Sequence, residues 1–312
     1  MNIGLDMMGG DFAPLEAVKG LQLYLESVSG TATVFCIGRE TEVQPLLQQF
    51  NIPQERIKMV HAEEVIGYHE HPTKALKEKQ QSSISIGFHL LSTGKIDAFI
   101  SAGNTGAMLV GTMFTIKVVE GILRPSIATI IPKLNGGTGL LLDVGLNADC
   151  KPEQLNQFAV LGSLYAKNIL NIENPRVCLL NVGEEEGKGN ILAQATYPLL
   201  KENTHINFAG NIEGRDLIKD NYDVIVCDGF TGNVILKLAE SIYDIAVARE
   251  LQNDKYFHRF HYENYGGTPV LGVSKPVIIG HGISNDKAFK NMIELAEKMI
   301  ASNFCDKIKG NF

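Results

Sequence analysis

The sequence predicts an α/β fold, a doubly wound and mostly parallel sheet in a three-layer α/β/α arrangement. Short runs of β-branched and apolar residues recur along the chain with the length of buried strands. Between them lie stretches whose apolar residues repeat at helical spacing. The apolar runs end in clusters of Gly, Asn, Asp and Ser, where an open parallel sheet borders its ligands.

The strands are expected at 2–5, 33–37, 98–100, 127–131, 139–142, 177–180, 206–208, 224–227 and 277–279. Helical spacing is present over 15–25, 83–92, 105–118, 153–170, 233–247 and 287–300. Pro14 and Pro152 each suit a first helical turn, and Asn104 or Thr105 suits the cap of the helix that follows. The chain of 312 residues contains no internal repeat, low-complexity tract or clear linker. It is therefore expected to form a single α/β catalytic unit over residues 1–312, with two coupled lobes as the alternative division. The polar stretch 252–264 suggests a surface excursion over about residues 248–264.

Composition removes several function classes. A hydrophobic content of 45% is that of a globular protein, and disorder is excluded. No run approaches the roughly 20 apolar residues that would span a bilayer. Asp6 stands where a signal peptide would be apolar, so a cytoplasmic location is expected. A net charge of −7 argues against nucleic acid as a partner. The five cysteines, Cys36, Cys150, Cys178, Cys227 and Cys305, form no C-x-x-C pair and read as reduced structural thiols. No metal and no cofactor is expected. His69-Glu-His71 is too compact for a zinc motif and precedes Pro72, so a surface loop is the better reading.

Six polar clusters follow the apolar runs. They are Asp6-Met-Met-Gly9-Gly10-Asp11, Ser101-Ala-Gly-Asn104-Thr105-Gly106, Asp143-Val-Gly-Leu-Asn147, the stretch 181–190, Gly210-Asn-Ile-Glu-Gly-Arg215 and Asp228-Gly-Phe-Thr231-Gly232-Asn233. Any one of them reads equally well as a turn. Six together favour a shared polar cleft, because a buried polar group without a partner costs about 1–3 kcal/mol. The 103–106 and 229–233 stretches each lead a glycine-containing loop into a helix, where backbone amides suit a phosphate. Thr105, Thr231 and Asn233 would add neutral hydrogen bonds. Lys188, flanked by Gly187 and Gly189, reads as a mobile cation or as the partner of Glu184, Glu185 or Glu186. Arg215 carries the same pair of readings.

Other chemistries lack their motifs. Gly187-Lys188 has no Ser or Thr after it, so it is not a P-loop. No G-x-G-x-x-G follows the first apolar run, and neither G-x-S-x-G nor H-E-x-x-H occurs.

These clusters, together with Lys79-Gln-Gln-Ser-Ser83, Arg124-Pro125 and Tyr265-Gly-Gly-Thr-Pro269, occur in the order found in a known family. The sequence resembles, over nearly its whole length, the phosphate acyltransferase family of bacterial phospholipid synthesis, commonly called PlsX. The resemblance implies a fold similar to phosphotransacetylases and the isocitrate dehydrogenase group, a homodimer, no metal, and transfer of a long-chain acyl group from acyl carrier protein to inorganic phosphate. It also implies that Lys188 and Asn233 are the catalytic pair, with Asp228 beside them. Asp6, Gly9, Gly10, Ser83, Asn104, Thr105, Gly106, Asp143, Asn147, Arg215, Thr231 and Gly232 would then bind phosphate or substrate. Asp228 or Asp143 would orient Lys188.

Met7 and Leu146 stand where the family usually has Ala, and His69 to His71 replace an acidic loop. The stretch 239–264 is shorter than in the family, where it carries an amphipathic hairpin that meets the membrane and the dimer partner. A weak peripheral contact with the inner face of the membrane is the corresponding expectation here. Lys74, Lys77 and Lys79, or Arg249, Lys255 and Arg259, would dock the acidic carrier protein. Two rivals remain: a phosphotransacetylase-like enzyme acting on acyl coenzyme A, and a non-catalytic anion-binding module.

Overall fold

The computed structural model describes residues 1–27 and 30–312. In chain order its elements begin β1 (Asn2–Asp6), α1 (Leu15–Glu26), β2 (Thr33–Gly38), α2 (Glu40–Gln49), β3 (Ile57–His61), α3 (Pro72–Glu78), α4 (Ser83–Ser92), β4 (Ala98–Ser101) and α5 (Thr105–Gly111). There follow β5 (Ser126–Pro132), β6 (Thr138–Leu142), α6 (Pro152–Asn168), β7 (Arg176–Asn181), α7 (Ile191–Glu202), β8 (Asn207–Glu213), β9 (Val224–Val226) and α8 (Gly229–Ala248). The chain ends with β10 (Gly267–Leu271), β11 (Val277–Gly280), α9 (Asp286–Ala301) and α10 (Phe304–Lys309). These elements form two compact units, one from Met1–Val118 with Tyr262–Cys305 and the other from Val119–His261 with Asp306–Phe312.

In the first unit the strand order is β3-β2-β1-β4-β11-β10, parallel throughout except for the antiparallel β10–β11 pair. Strands β1, β2, β4 and β11 are buried along nearly their whole length, as strands covered on both faces must be. One covering layer is the α1–α9 pair. A Cβ at Gly20 on α1 would lie 2.4 Å from the Phe289 Cβ, so glycine is what lets these helices approach.

In the second unit the order is β5-β6-β9-β7-β8, parallel except for the antiparallel β5–β6 hairpin. At the amino ends of β7 and β9 lies a charge cluster built around the buried Lys133 and Asp223. Lys133, only 2% exposed, donates to Asp223 at 3.1 Å, to Asp220 at 3.3 Å and to the Tyr222 carbonyl, while Arg176 pairs with Asp223 at 2.9 Å. Every charge there has a partner, which is the condition for burying it without a large desolvation loss.

All nine expected strands are present, and the sheet is mostly parallel with helices alongside. Two strands were not legible in the apolar pattern. β3 mixes polar and apolar residues at a sheet edge, and β10 contains Pro269, which argues against a strand wherever an amide is required. Helices α2 and α7 hold Pro45 and Pro198, and the same reasoning hides them. The helix expected over 105–118 is α-helical only to Gly111 and then widens into a π-turn at Thr112–Ile116. The helix expected from residue 233 starts four residues earlier, because Asp228 caps it. Residues 257–260 and 262–264 form short 3-10 turns, with Phe260 buried against Tyr256. Among the described residues no helix is long and apolar enough to cross a membrane.

Candidate functional site

In the first unit the carboxyl ends of β1 and β4 bring Asp6, Gly9, Ser83, Ser101, Gly103 and Asn104 together. Asp6 is 1% exposed and accepts from Ser101 Oγ at 2.6 Å and from Met8 N at 2.9 Å. Burial pushes its carboxyl above the usual range, opposed by hydrogen bonds from Ser101, Ser83, Met8 and Gly9. A Cβ at Gly9 would stand 2.6 Å from Gly103 N, and Gly10 has φ of +108°, so this loop is built on glycine.

Asn104 is already occupied. Its Oδ1 caps α5 by accepting from Ala107 N at 2.9 Å, and its Nδ2 donates to the carbonyls of Gly67 at 2.8 Å and of Tyr68 and Glu70 at 3.3 Å. The side chain thus ties the 67–71 loop to the start of α5 and has no donor left for a ligand. Thr105 is exposed beside it, and Gly106 is needed because a Cβ there would lie 2.4 Å from Pro72.

In the second unit β6, β9 and the start of α8 bring Asp143, Asn147, Asp228, Thr231, Gly232 and Asn233 together. Asp143 has no solvent exposure and accepts from Ile127 N, Leu146 N, Asn147 N and Asn147 Nδ2 at 2.7–3.3 Å. Burial raises its pKa, and those donors oppose the rise. Asn147 is also buried and donates to Pro125 O. Both residues therefore build the loop instead of facing a ligand.

The amides opening α8 are less free than the glycine pattern suggests. Gly229 N donates to Asn147 O at 2.7 Å. Asp228 accepts from Thr231 N and Thr231 Oγ1, each at 2.8 Å. Gly232 packs so tightly on Asp143 that its Cβ would meet the Asp143 carbonyl oxygen at 1.8 Å. Asn233 is exposed, and its Nδ2 donates to Val144 O at 3.1 Å.

Lys188 lies in the loop between β7 and α7, exposed, and its ammonium has no ion pair among the described residues. Of the three acids before it, Glu186 pairs with Lys201 at 2.9 Å. Among the described residues neither Asp143 nor Asp228 forms an ion pair with Lys188, and the support the loop receives is to its backbone. Asn181 Nδ2 donates to Lys188 O at 3.1 Å, and Asn211 Nδ2 donates to Glu185 O at 2.9 Å. Asn190 caps α7 through Ala193 N. Asn211 was not singled out from sequence; the only signal for it was its place in the 210–215 cluster. Arg215 is paired with Glu213 at 2.7 Å and is 72% exposed.

Beside this loop is a cavity of about 290 Å³ lined by the ends of β7 and β9 and the first turns of α7 and α8, including Asn181, Asn190, Asp228 and Thr231. Of the basic residues considered for docking, Lys79 pairs with Glu70, Lys74 approaches Glu78 at 4.0 Å, and Arg259 donates to the carbonyls of Lys133 and Gly137. Lys77, Arg249 and Lys255 are exposed. None of the five cysteines is in a disulfide, and burial raises the pKa of Cys150 to about 11, a poor basis for thiolate chemistry. No cluster of three or more metal-ligating side chains exists among the described residues.

The family model described as fatty acid synthesis protein matches residues 1–307. Proteins named phosphate acyltransferase are similar along the whole chain. The one from Dictyoglomus turgidum is 44% identical, with 99% of this chain and 96% of that protein covered. The one from Aquifex aeolicus is 41% identical over 100% and 96%. The chain belongs to the phosphate acyltransferase family.

The alignment with the Dictyoglomus turgidum phosphate acyltransferase runs over 328 positions, more than the 312 residues here, so that relative carries residues this chain lacks. In fold the family member is similar to a phosphotransacetylase from Streptococcus pyogenes, with a TM-score of 0.67 at 18% identity over 96% of this chain and 94% of that one. It is similar also to a 4-hydroxythreonine-4-phosphate dehydrogenase from Klebsiella pneumoniae, with a TM-score of 0.52 at 13% identity over 95% and 97%. Both likenesses concern the fold alone.

Proposed function

We propose that this enzyme transfers a long-chain fatty acyl group from the thioester of acyl carrier protein to inorganic phosphate, giving an acyl phosphate. The family membership supports acyl transfer to phosphate. The observation that carries the residue roles is Lys188: an exposed ammonium, without an ion pair among the described residues, on a loop whose backbone Asn181 and Asn211 hold in place.

Phosphate at neutral pH is already an oxyanion and needs positioning more than deprotonation. In the proposed step a phosphate oxygen attacks the thioester carbonyl carbon. The new C–O bond forms, the carbonyl oxygen takes up negative charge, and collapse breaks the C–S bond. The carrier thiolate leaves and takes a proton from solvent. Lys188 offers its ammonium to the phosphate or the developing oxyanion. Asn233 acts from the first turn of α8, and Asp228 acts by capping that turn. Gly9 and Gly10 shape the polar loop of the first unit around Asp6, and Asn104, Asp143 and Asn147 act as builders of loops. No covalent enzyme intermediate, metal or cofactor enters this scheme.

A homodimer and a weak contact with the inner face of the membrane belong to the same proposal. They are supported by α8, on which Phe230, Val234, Leu238 and Ile245 are exposed. The decisive experiment is phosphate-dependent loss of the acyl group from palmitoyl carrier protein, with hydroxylamine trapping of the acyl phosphate. Efficient use of palmitoyl coenzyme A would move the donor assignment to the coenzyme. Bound phosphate without turnover of either donor would favour a binding module.

A further inference from the structure

The acyl chain is the largest apolar part of such a substrate, and each methylene moved from water to an apolar wall tightens binding about fourfold. The cavity between α7 and α8 has the chemistry to take it. Its walls are Leu155, Leu179, Leu180, Leu192, Ala193 and Ile235. Leu155 and Leu179 are each 1% exposed, so the deep wall is hydrocarbon that already belongs to the core of the second unit. The polar lining groups, Asn181, Asn190, Asp228 and Thr231, are strand-end and helix-cap residues.

Two further observations point to an apolar ligand. No cationic side chain lines the cavity, so it does not suit a phosphate or a nucleotide diphosphate. At either end of the Lys188 loop stand Val182, 80% exposed, and Ile191, 88% exposed, and Val182 is itself a lining residue. Val182 thus adds exposed apolar surface at the rim of the cavity. Gly189 lines the same cavity, so Lys188 sits in the loop that forms its edge.

We propose that this cavity is the acyl-chain site, with the hydrocarbon against Leu155, Leu179, Leu192 and Ile235 and the thioester at the edge formed by the Lys188 loop. The assignment rests on the acyl-transfer reading above and adds to it where the chain lies.

The test measures kcat/KM with phosphate for palmitoyl and butyryl carrier protein in the wild type, Ile235→Trp and Leu192→Trp, each checked for folding by its thermal transition. Filling the cavity should lower the palmitoyl-to-butyryl ratio at least tenfold. Ile235→Ala, which demands no space, should raise the palmitoyl KM severalfold more than the butyryl KM and serves if the tryptophan variants do not fold. An unchanged ratio in folded variants, with the wild type active, overturns the site and leaves the acyl-transfer reading standing. No phosphate-dependent turnover of either thioester by the wild type overturns that reading, and the site with it.

Discussion

Asn233 and Gly145 are coupled through space. Asn233 Nδ2 donates to the Val144 carbonyl at 3.1 Å, and a Cβ at Gly145 would stand 2.9 Å from that same nitrogen. Gly145 also has φ of +132°, a conformation that residues with a Cβ rarely adopt. The 143–147 loop and the first turn of α8 therefore fit each other only with glycine at 145. Gly145→Ala is expected to cost about 1–2 kcal/mol of stability through backbone strain. It should also displace Asn233 and lower kcat/KM at least tenfold. Thermal unfolding and steady-state kinetics on the same preparation check both, and full activity in the variant would remove Asn233 from the proposed catalytic pair.

Lys188 separates catalysis from stability. Its ammonium contributes no ion pair among the described residues, so Lys188→Ala should leave the melting temperature within about a degree. Turnover should fall about 10²-fold, the scale of one lost oxyanion donor. An unchanged rate in the folded variant would sink the assigned role.

Asn104 gives the opposite signature. Asn104→Asp keeps the oxygen that caps α5 but removes the amide that holds Gly67, Tyr68 and Glu70. Faster amide hydrogen exchange over 67–71 with unchanged protection in α5 is expected. If the side chain were a phosphate ligand instead, the exchange pattern would stay as in the wild type while the phosphate KM rose.

The charge cluster around Lys133 and Asp223 in the second unit sets part of the acid stability. Asp223 loses solvent, which raises its pKa, but Arg176 and Lys133 outweigh that and hold it down at about 2. A carboxylate whose folded pKa lies below its unfolded value stabilises the fold above the unfolded value, and that stability is lost as pH falls through the folded one. The contribution, about 2 kcal/mol, should be complete above about pH 4 and fade toward pH 2. Asp6 and Asp143 act in the reverse sense, since burial raises both and protonation relieves them. Urea unfolding of wild type and Asp223→Asn across pH 6 to 2 should show a gap that narrows toward the acid end. A constant gap would mean that packing, not ionisation, is what Asp223 supplies.

The alternation of apolar runs and helical spacing was enough to expose nine strands, most of them buried along their length, because full burial demands continuous apolar sequence; β8, at a sheet edge, showed only through its short apolar start. The alternation hid β3 and β10, since an edge strand and a proline-bearing strand obey weaker constraints. The strand-end clusters disclosed where polar chemistry gathers, and their order along the chain disclosed the family. Residue type and spacing located the clusters, and the resemblance of their order to that of a known family gave the family.

Only the tertiary structure decided which polar groups are spent. Asn104, Asp143, Asn147 and Thr231 look like ligands in sequence, yet their hydrogen bonds close onto the protein's own backbone and side chains. Lys188 looks equally like the partner of a neighbouring acid, yet Glu186 turns to Lys201 and the loop is held by Asn181 and by Asn211, a residue from another strand. The physical reason is that a hydrogen bond has direction and a donor serves few acceptors. The sequence states how many donors exist, and the packing of distant strands and loops determines which of them remain for a substrate.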